Sequence, residues 1–117
     1  MSWRNAPLYV EVHDLAVWTM DRTGTWRDRN AATLAERVAG AVCDLVTSVA
    51  LGLTFPATRG RHLEAADEAI VRLRTLLRLA EALGLLSPRG LRFAAGRLQA
   101  AGRMLGGWRK RQVAEGG

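Results

Sequence analysis

Ser87 to Trp108 reads SPRGLRFAAGRLQAAGRMLGGW, and the register of this stretch decides the fold. Ser87 is a natural N-cap and Pro88 suits the first helical position, because its missing N–H would have no partner there anyway. Leu91, Ala94, Leu98, Ala101, Leu105 and Trp108 then recur every three or four residues as an unbroken heptad seam. The spacing predicts a helix over about 88–111 with one apolar edge that must be covered by other helices.

Three further segments carry matching edges. Leu63, Ala66, Ile70, Leu73, Leu77 and Ala80 mark a helix over about 61–83 that Gly84 ends. Only Leu85, Leu86 and Ser87 then remain before Pro88, a link so short that the two helices are expected to be antiparallel neighbours. Asn30 is the expected cap of a helix over about 31–53, with Leu34, Val38, Ala41 or Val42, Leu45 and Val49 on one stripe and Phe55-Pro56 as its stop. Pro7, behind Asn5 or Ala6, opens a helix over about 7–23 with Leu8, Val12, Leu15 and Thr19 in line and Gly24 as its end. The expected architecture is all-α: a single antiparallel up-down four-helix bundle spanning 1–117, its 112–117 tail disordered.

Composition agrees with one soluble core. The chain has 117 residues, 49% hydrophobic and 24% charged, enough apolar material for one domain and too much charge for a bilayer interior. No run of eighteen uncharged apolar residues and no basic-then-apolar leader is present, so a cytoplasmic protein without a membrane span is expected. One cysteine, Cys43, and two isolated histidines, His13 and His62, make neither a disulfide nor a standard zinc site. No metal or cofactor is expected. His13-Asp14 lacks a nucleophile nearby, and adjacent helical residues point about 100° apart. Cys43, among Ala41, Val42 and Leu45, reads as a small buried hydrophobe. Gly106-Gly107 lacks the strand-turn-helix setting of a phosphate loop. These residues give no basis for an enzyme.

The charge distribution is more informative. Seventeen basic residues face eleven acidic ones, for a net charge of +6, and sixteen of the seventeen are arginine. Residues 1–58 sum to −1 and residues 59–117 to +7. Between Glu81 and Glu115 no acid occurs, yet Arg89, Arg92, Arg97, Arg103, Arg109, Lys110 and Arg111 all lie there. A solvated helix face normally mixes both signs. At 100° per residue, Arg89, Arg92, Arg103 and Lys110 fall within about 60° of one another, roughly opposite the leucine seam. The helix before it adds Arg72, Arg74 and Arg78. Guanidinium groups match phosphate oxygens bidentately, so the stripe suits a nucleic-acid backbone or an acidic protein surface; a solvated face is the plainer alternative. Gly96, Gly102, Gly106 and Gly107 sit inside the same helix, each costing about 1 kcal/mol relative to alanine. Gly102 and Gly106 lie one turn apart on neither the leucine nor the arginine face, which suggests a subunit contact. Of the four tryptophans, Trp18 and Trp108 are expected in the core, and a surplus of these rings fits a second packing surface.

Specific runs add a resemblance. Arg72-Leu73-Arg74-Thr75-Leu76-Leu77-Arg78-Leu79-Ala80, then Leu85-Leu86-Ser87, and above all Gly102-Arg103-Met104-Leu105-Gly106-Gly107-Trp108 resemble the accessory variability determinant (Avd) family of diversity-generating retroelements. Leu15-Ala16-Val17-Trp18, Asp21-Arg22-Thr23 and the Asn30 to Leu45 region extend the likeness over most of the chain. The resemblance implies a non-enzymatic four-helix bundle assembling as a barrel-like homopentamer; Gly102, Gly106 and Trp108 are the expected interface residues from the helix-face reading. The resemblance also implies two partners, the element's error-prone reverse transcriptase and nucleic acid, including the template-repeat RNA and possibly DNA. Arg72, Arg74, Arg78 and Arg103 match the family's basic pattern; Arg89, Arg92, Arg97, Arg109, Lys110 and Arg111 join them through the helix-face reading. A related bundle family is encoded in ribosomal RNA intervening sequences, so the fold alone does not fix the role. The rivals are a scaffold bundle without a nucleic-acid role and a small chorismate-mutase-like enzyme, which would need its arginines inside the bundle.

Overall fold

Pro7 starts the first long helix of the computed structural model, which describes residues 3–116. A 3-10 turn over Trp3–Asn5 leads to Ala6, whose extended backbone (ψ 132°) precedes α1, Pro7–Thr23. Gly24 ends α1 in a right-handed conformation (φ −62°), so its role is not the left-handed turn usual for glycine. The last carbonyls of α1 accept backbone N–H groups, Gly24 to Met20 O and Thr25 to Arg22 O, each at 3.2 Å, and also threonine hydroxyls: Thr23 Oγ1 donates to Met20 O at 3.2 Å and Thr25 Oγ1 to Arg22 O at 2.8 Å.

The second helix, α2, spans Arg29–Thr54. Its cap is Asp28 and not the expected Asn30: the Asp28 carboxylate accepts the Ala31 N–H at 2.8 Å, which puts Asn30 inside the first turn. A carboxylate there also meets the positive end of the helix dipole. Phe55, extended ahead of Pro56, stops α2. A 3-10 turn over Pro56–Thr58 brings the chain straight into α3, Arg59–Ala82. At its far end Gly84 has φ +77°. Leu85 N–H donates to Ala80 O (2.9 Å) and Gly84 N–H to Glu81 O (3.0 Å), the paired bonds of a Schellman turn. Ser87 then caps α4, Pro88–Gly116, its hydroxyl oxygen accepting the Gly90 N–H at 3.0 Å. The helix passes the expected end at 111, and residues 112–116 are helical rather than disordered; Gly117 lies outside the described residues.

Four helices and, among the described residues, no strand make an all-α bundle. Helix α1 touches α2 and α4, and α3 touches the same two, while the diagonal pairs stay apart. The seams read from the sequence fill the centre. Val12, Leu15, Val38, Val42, Leu45, Val49, Leu63, Leu73, Leu77, Leu98 and Leu105 are all at most 2% exposed. Truncating any of these leucines to alanine leaves a cavity worth about 2–5 kcal/mol. Gly52 permits the close approach of α2 and α3: a Cβ there would stand 3.1 Å from Leu63 Cδ2.

Two expectations, for the tryptophans and for Cys43, fail at the edge of this core. Trp26, in the α1–α2 link, is the buried tryptophan, whereas Trp18 and Trp108 are only partly covered because rings this large overrun a four-helix interior. Cys43 is exposed, one position past the inward-facing Val42. Within Asn30–Thr54, α2 carries a window of mean hydropathy 1.4, long and apolar enough by length and composition to cross a membrane. Its inward edge accounts for much of that hydropathy, since Val38, Ala41, Val42, Leu45 and Val49 are core residues.

Candidate nucleic-acid interface

Helices α3 and α4 carry twelve cations, ten of them expected at the binding surface, and carboxylates on neighbouring helices answer three of those ten. Arg97 Nη1 donates to both oxygens of Glu11 on α1, each at 3.2 Å, and its guanidinium lies 5.4 Å from the Phe93 ring centre. Arg72 Nη1 reaches Asp44 of α2 at 3.4 Å. Arg109 pairs with Asp67 of α3. The Glu11 side chain is only 14% exposed, so the Arg97 pair is the most shielded of the three; exposed pairs such as Arg72 with Asp44 contribute less than about 1 kcal/mol. Arg72, Arg97 and Arg109, all expected as phosphate contacts, thus each have a carboxylate partner distant in sequence.

The other seven, Arg74, Arg78, Arg89, Arg92, Arg103, Lys110 and Arg111, are exposed and, among the described residues, form no ion pair. They do not form one stripe. Arg74 and Arg78 of α3 face Arg92 of α4 across a groove of about 280 Å³ floored by Leu77, Leu91, Ala95 and Leu98. Lys110 lies farther along the same seam, beside Gly106, Arg109 and Val113. Arg103 and Arg111 open instead onto a hollow with Ala6, Pro7, Leu8 and Leu53. Arg89 stands with Arg22, Trp18, Trp26 and Phe93 at the end of the bundle where the 24–28 and 83–87 links meet. A helix wheel groups residues by angle about one axis. Which neighbouring helix flanks each angle, and at what height, divides them.

Glycines at the expected subunit contact have no intrachain explanation. A Cβ on Gly102 or Gly106 would meet nothing within 4 Å, so no helix of this chain approaches them closely. Trp108 is already engaged on one ring face, with the Arg59 guanidinium 5.1 Å from its centre while Arg59 Nε donates to Gly52 O at 2.7 Å.

Elsewhere the chemistry is sparse. His13 Nδ1 lies 3.3 Å from Asp14 Oδ1, both side chains about half exposed, and His62 Nε2 is 3.0 Å from Thr58 Oγ1. Among the described residues no three His, Cys, Asp or Glu side chains gather as a metal site. One feature was missed in the sequence: Arg22 stacks on Trp18 at 5.1 Å, an i,i+4 spacing on α1 that could have signalled the pair. Compared with known proteins, the chain matches no family model, no curated protein and no solved structure.

Proposed function

We propose that this protein is a non-enzymatic accessory factor of the Avd type, binding nucleic acid and a reverse transcriptase through the cations of α3 and α4. The observation that carries the reading is the α3–α4 groove: three arginines without carboxylate partners, Arg74, Arg78 and Arg92, around an apolar floor. Guanidinium groups held at a rim can each meet a phosphate, and the leucine floor between them accepts the apolar part of a protein or a splayed base. The retroelement assignment itself rests on the sequence resemblance, above all the Gly102 to Trp108 run.

The same reading includes an antiparallel up-down bundle and a homopentamer in the cytoplasm. Its antiparallel part is supported by contacts whose residue numbers run in opposite directions along neighbouring helices: Trp18 meets Phe93 and Glu11 meets Arg97 across α1 and α4, while Arg78 lines a groove with Arg92 and Asp67 meets Arg109 across α3 and α4. The pentamer is supported by the open surroundings of Gly102 and Gly106. A chorismate-mutase-like enzyme is disfavoured because no arginine side chain is buried among the described residues.

The test is binding of a template-repeat RNA by fluorescence anisotropy, with co-purification of the reverse transcriptase as the second readout. Combined Arg74→Gln and Arg78→Gln substitutions are expected to weaken both while far-ultraviolet ellipticity stays unchanged. Wild-type binding to both partners by the double variant refutes the assignment of this surface.

A further inference from the structure

At one end of the bundle, the links between α1 and α2 and between α3 and α4 enclose a cleft of about 410 Å³, within the size range of small-ligand sites. Its floor and one wall are aromatic. Trp18 and Phe93 stand 4.9 Å apart with their planes tilted by 42°, and Trp26 is buried beside them. Its other wall is cationic. Arg22 lies over Trp18 at 5.1 Å, Arg89 comes from the first turn of α4, and neither has a carboxylate partner among the described residues.

Two features hold the cleft in shape before any ligand arrives. Thr25 Oγ1 ties the α1–α2 link to Arg22 O at 2.8 Å. Leu86, 6% exposed, packs so closely on Gly90 that a Cβ there would fall 2.8 Å from Leu86 Cδ1. The aromatic pair also has a polarity. Its far side forms a separate hollow lined by His13, Asp14 and Asp21, whose two carboxylates disfavour an anion, so a negatively charged group is better placed on the Arg22 and Arg89 side.

We propose that this cleft binds one nucleotide, its base against the Trp18 and Phe93 rings and its phosphate between Arg22 and Arg89. A flat π-system joined to a phosphate matches both walls at once. An aliphatic anion would gain nothing from the rings, which would keep only their contacts with Arg22, Arg97 and each other, and an uncharged aromatic would leave the guanidinium groups without an anion. The site shares only Arg89 with the residues assigned above to nucleic-acid contact and does not depend on the α3–α4 groove.

The full-length protein would be titrated with adenosine 5′-monophosphate while its tryptophan fluorescence is followed, with ribose 5-phosphate, adenosine and inorganic phosphate in parallel. Saturable quenching by the nucleotide is expected, with ribose 5-phosphate binding more weakly by about 5- to 150-fold, the range that loss of one stacked base entails. Phe93→Leu, at a site 42% exposed, should weaken nucleotide binding within the same range. Combined Arg22→Gln and Arg89→Gln should lower nucleotide affinity to that of adenosine, while combined Arg74→Gln, Arg78→Gln and Arg92→Gln should leave it unchanged. A 5′-phosphorylated hexa-adenylate separates the sources: tighter binding than the mononucleotide identifies a strand end, equal binding a free nucleotide. The proposal is overturned by absence of saturable quenching, by equal affinity for ribose 5-phosphate, or by an unchanged Phe93→Leu variant. None of these results bears on RNA binding by the α3–α4 groove, which is read separately by anisotropy.

Discussion

Removing the three arginines around the α3–α4 groove gives a quantity that can be worked before the measurement. Arg74, Arg78 and Arg92 are exposed and unpaired among the described residues, so each can neutralise one phosphate at most. On single-stranded RNA each neutralised phosphate contributes about −0.7 to the slope of log affinity against log salt. Combined Arg74→Gln, Arg78→Gln and Arg92→Gln should therefore flatten the slope by up to about 2.1. Between 50 and 200 mM salt, the wild type should then lose up to about 18-fold more affinity than the variant does. Anisotropy with a labelled single-stranded RNA at four or five salt concentrations reads the slope directly. The control is Glu11→Gln with Arg97→Gln, which leaves net charge unchanged and removes a cation already held by a carboxylate at 3.2 Å. Its slope should match the wild type. A triple variant with the wild-type slope would show that phosphates do not meet this groove, and a control that flattens the slope equally would show that Arg97 contacts phosphate despite its carboxylate partner.

Assembly, polar burial and backbone conformation supply the other tests. Gly102→Leu or Gly106→Leu should reduce the oligomer mass seen by light scattering with little loss of helicity, because neither added side chain starts against any atom of its own chain; a parallel collapse of ellipticity would place those glycines in the chain's own packing. Thr19→Val should raise stability by about 1 kcal/mol in urea denaturation, since the Thr19 hydroxyl is buried without a hydrogen-bond partner; a loss of stability would reveal a partner for it. Two glycine-to-alanine changes should have opposite signs: Gly96→Ala, inside α4 with nothing within 4 Å of the new Cβ, gaining about 0.5–1 kcal/mol, and Gly84→Ala, at φ +77°, losing about 1 kcal/mol. Both are read as shifts of the urea midpoint.

Local periodicity was sufficient for the helices and for nearly all of the core. Leu63, Leu73, Leu77, Leu98 and Leu105 face inward because residues three and four apart share a face, a property of the helix itself that needs no knowledge of its neighbours. Proline, serine and glycine at the α3–α4 junction were equally legible, since capping is decided within one turn. The cation surface was only half legible. That Arg97 meets Glu11 depends on how α1 lies against α4, across 86 residues of sequence, and no spacing along either helix encodes it. The same is true of Arg89, which shares a helix face with Arg92 but opens onto the Trp18 cleft, because helix-wheel angle omits the neighbour on each side and the height along the bundle. Amino-acid order determined where the charges are; tertiary packing decided which remain unpaired and which surfaces they flank, because Coulomb interactions and groove shape depend on distance in space.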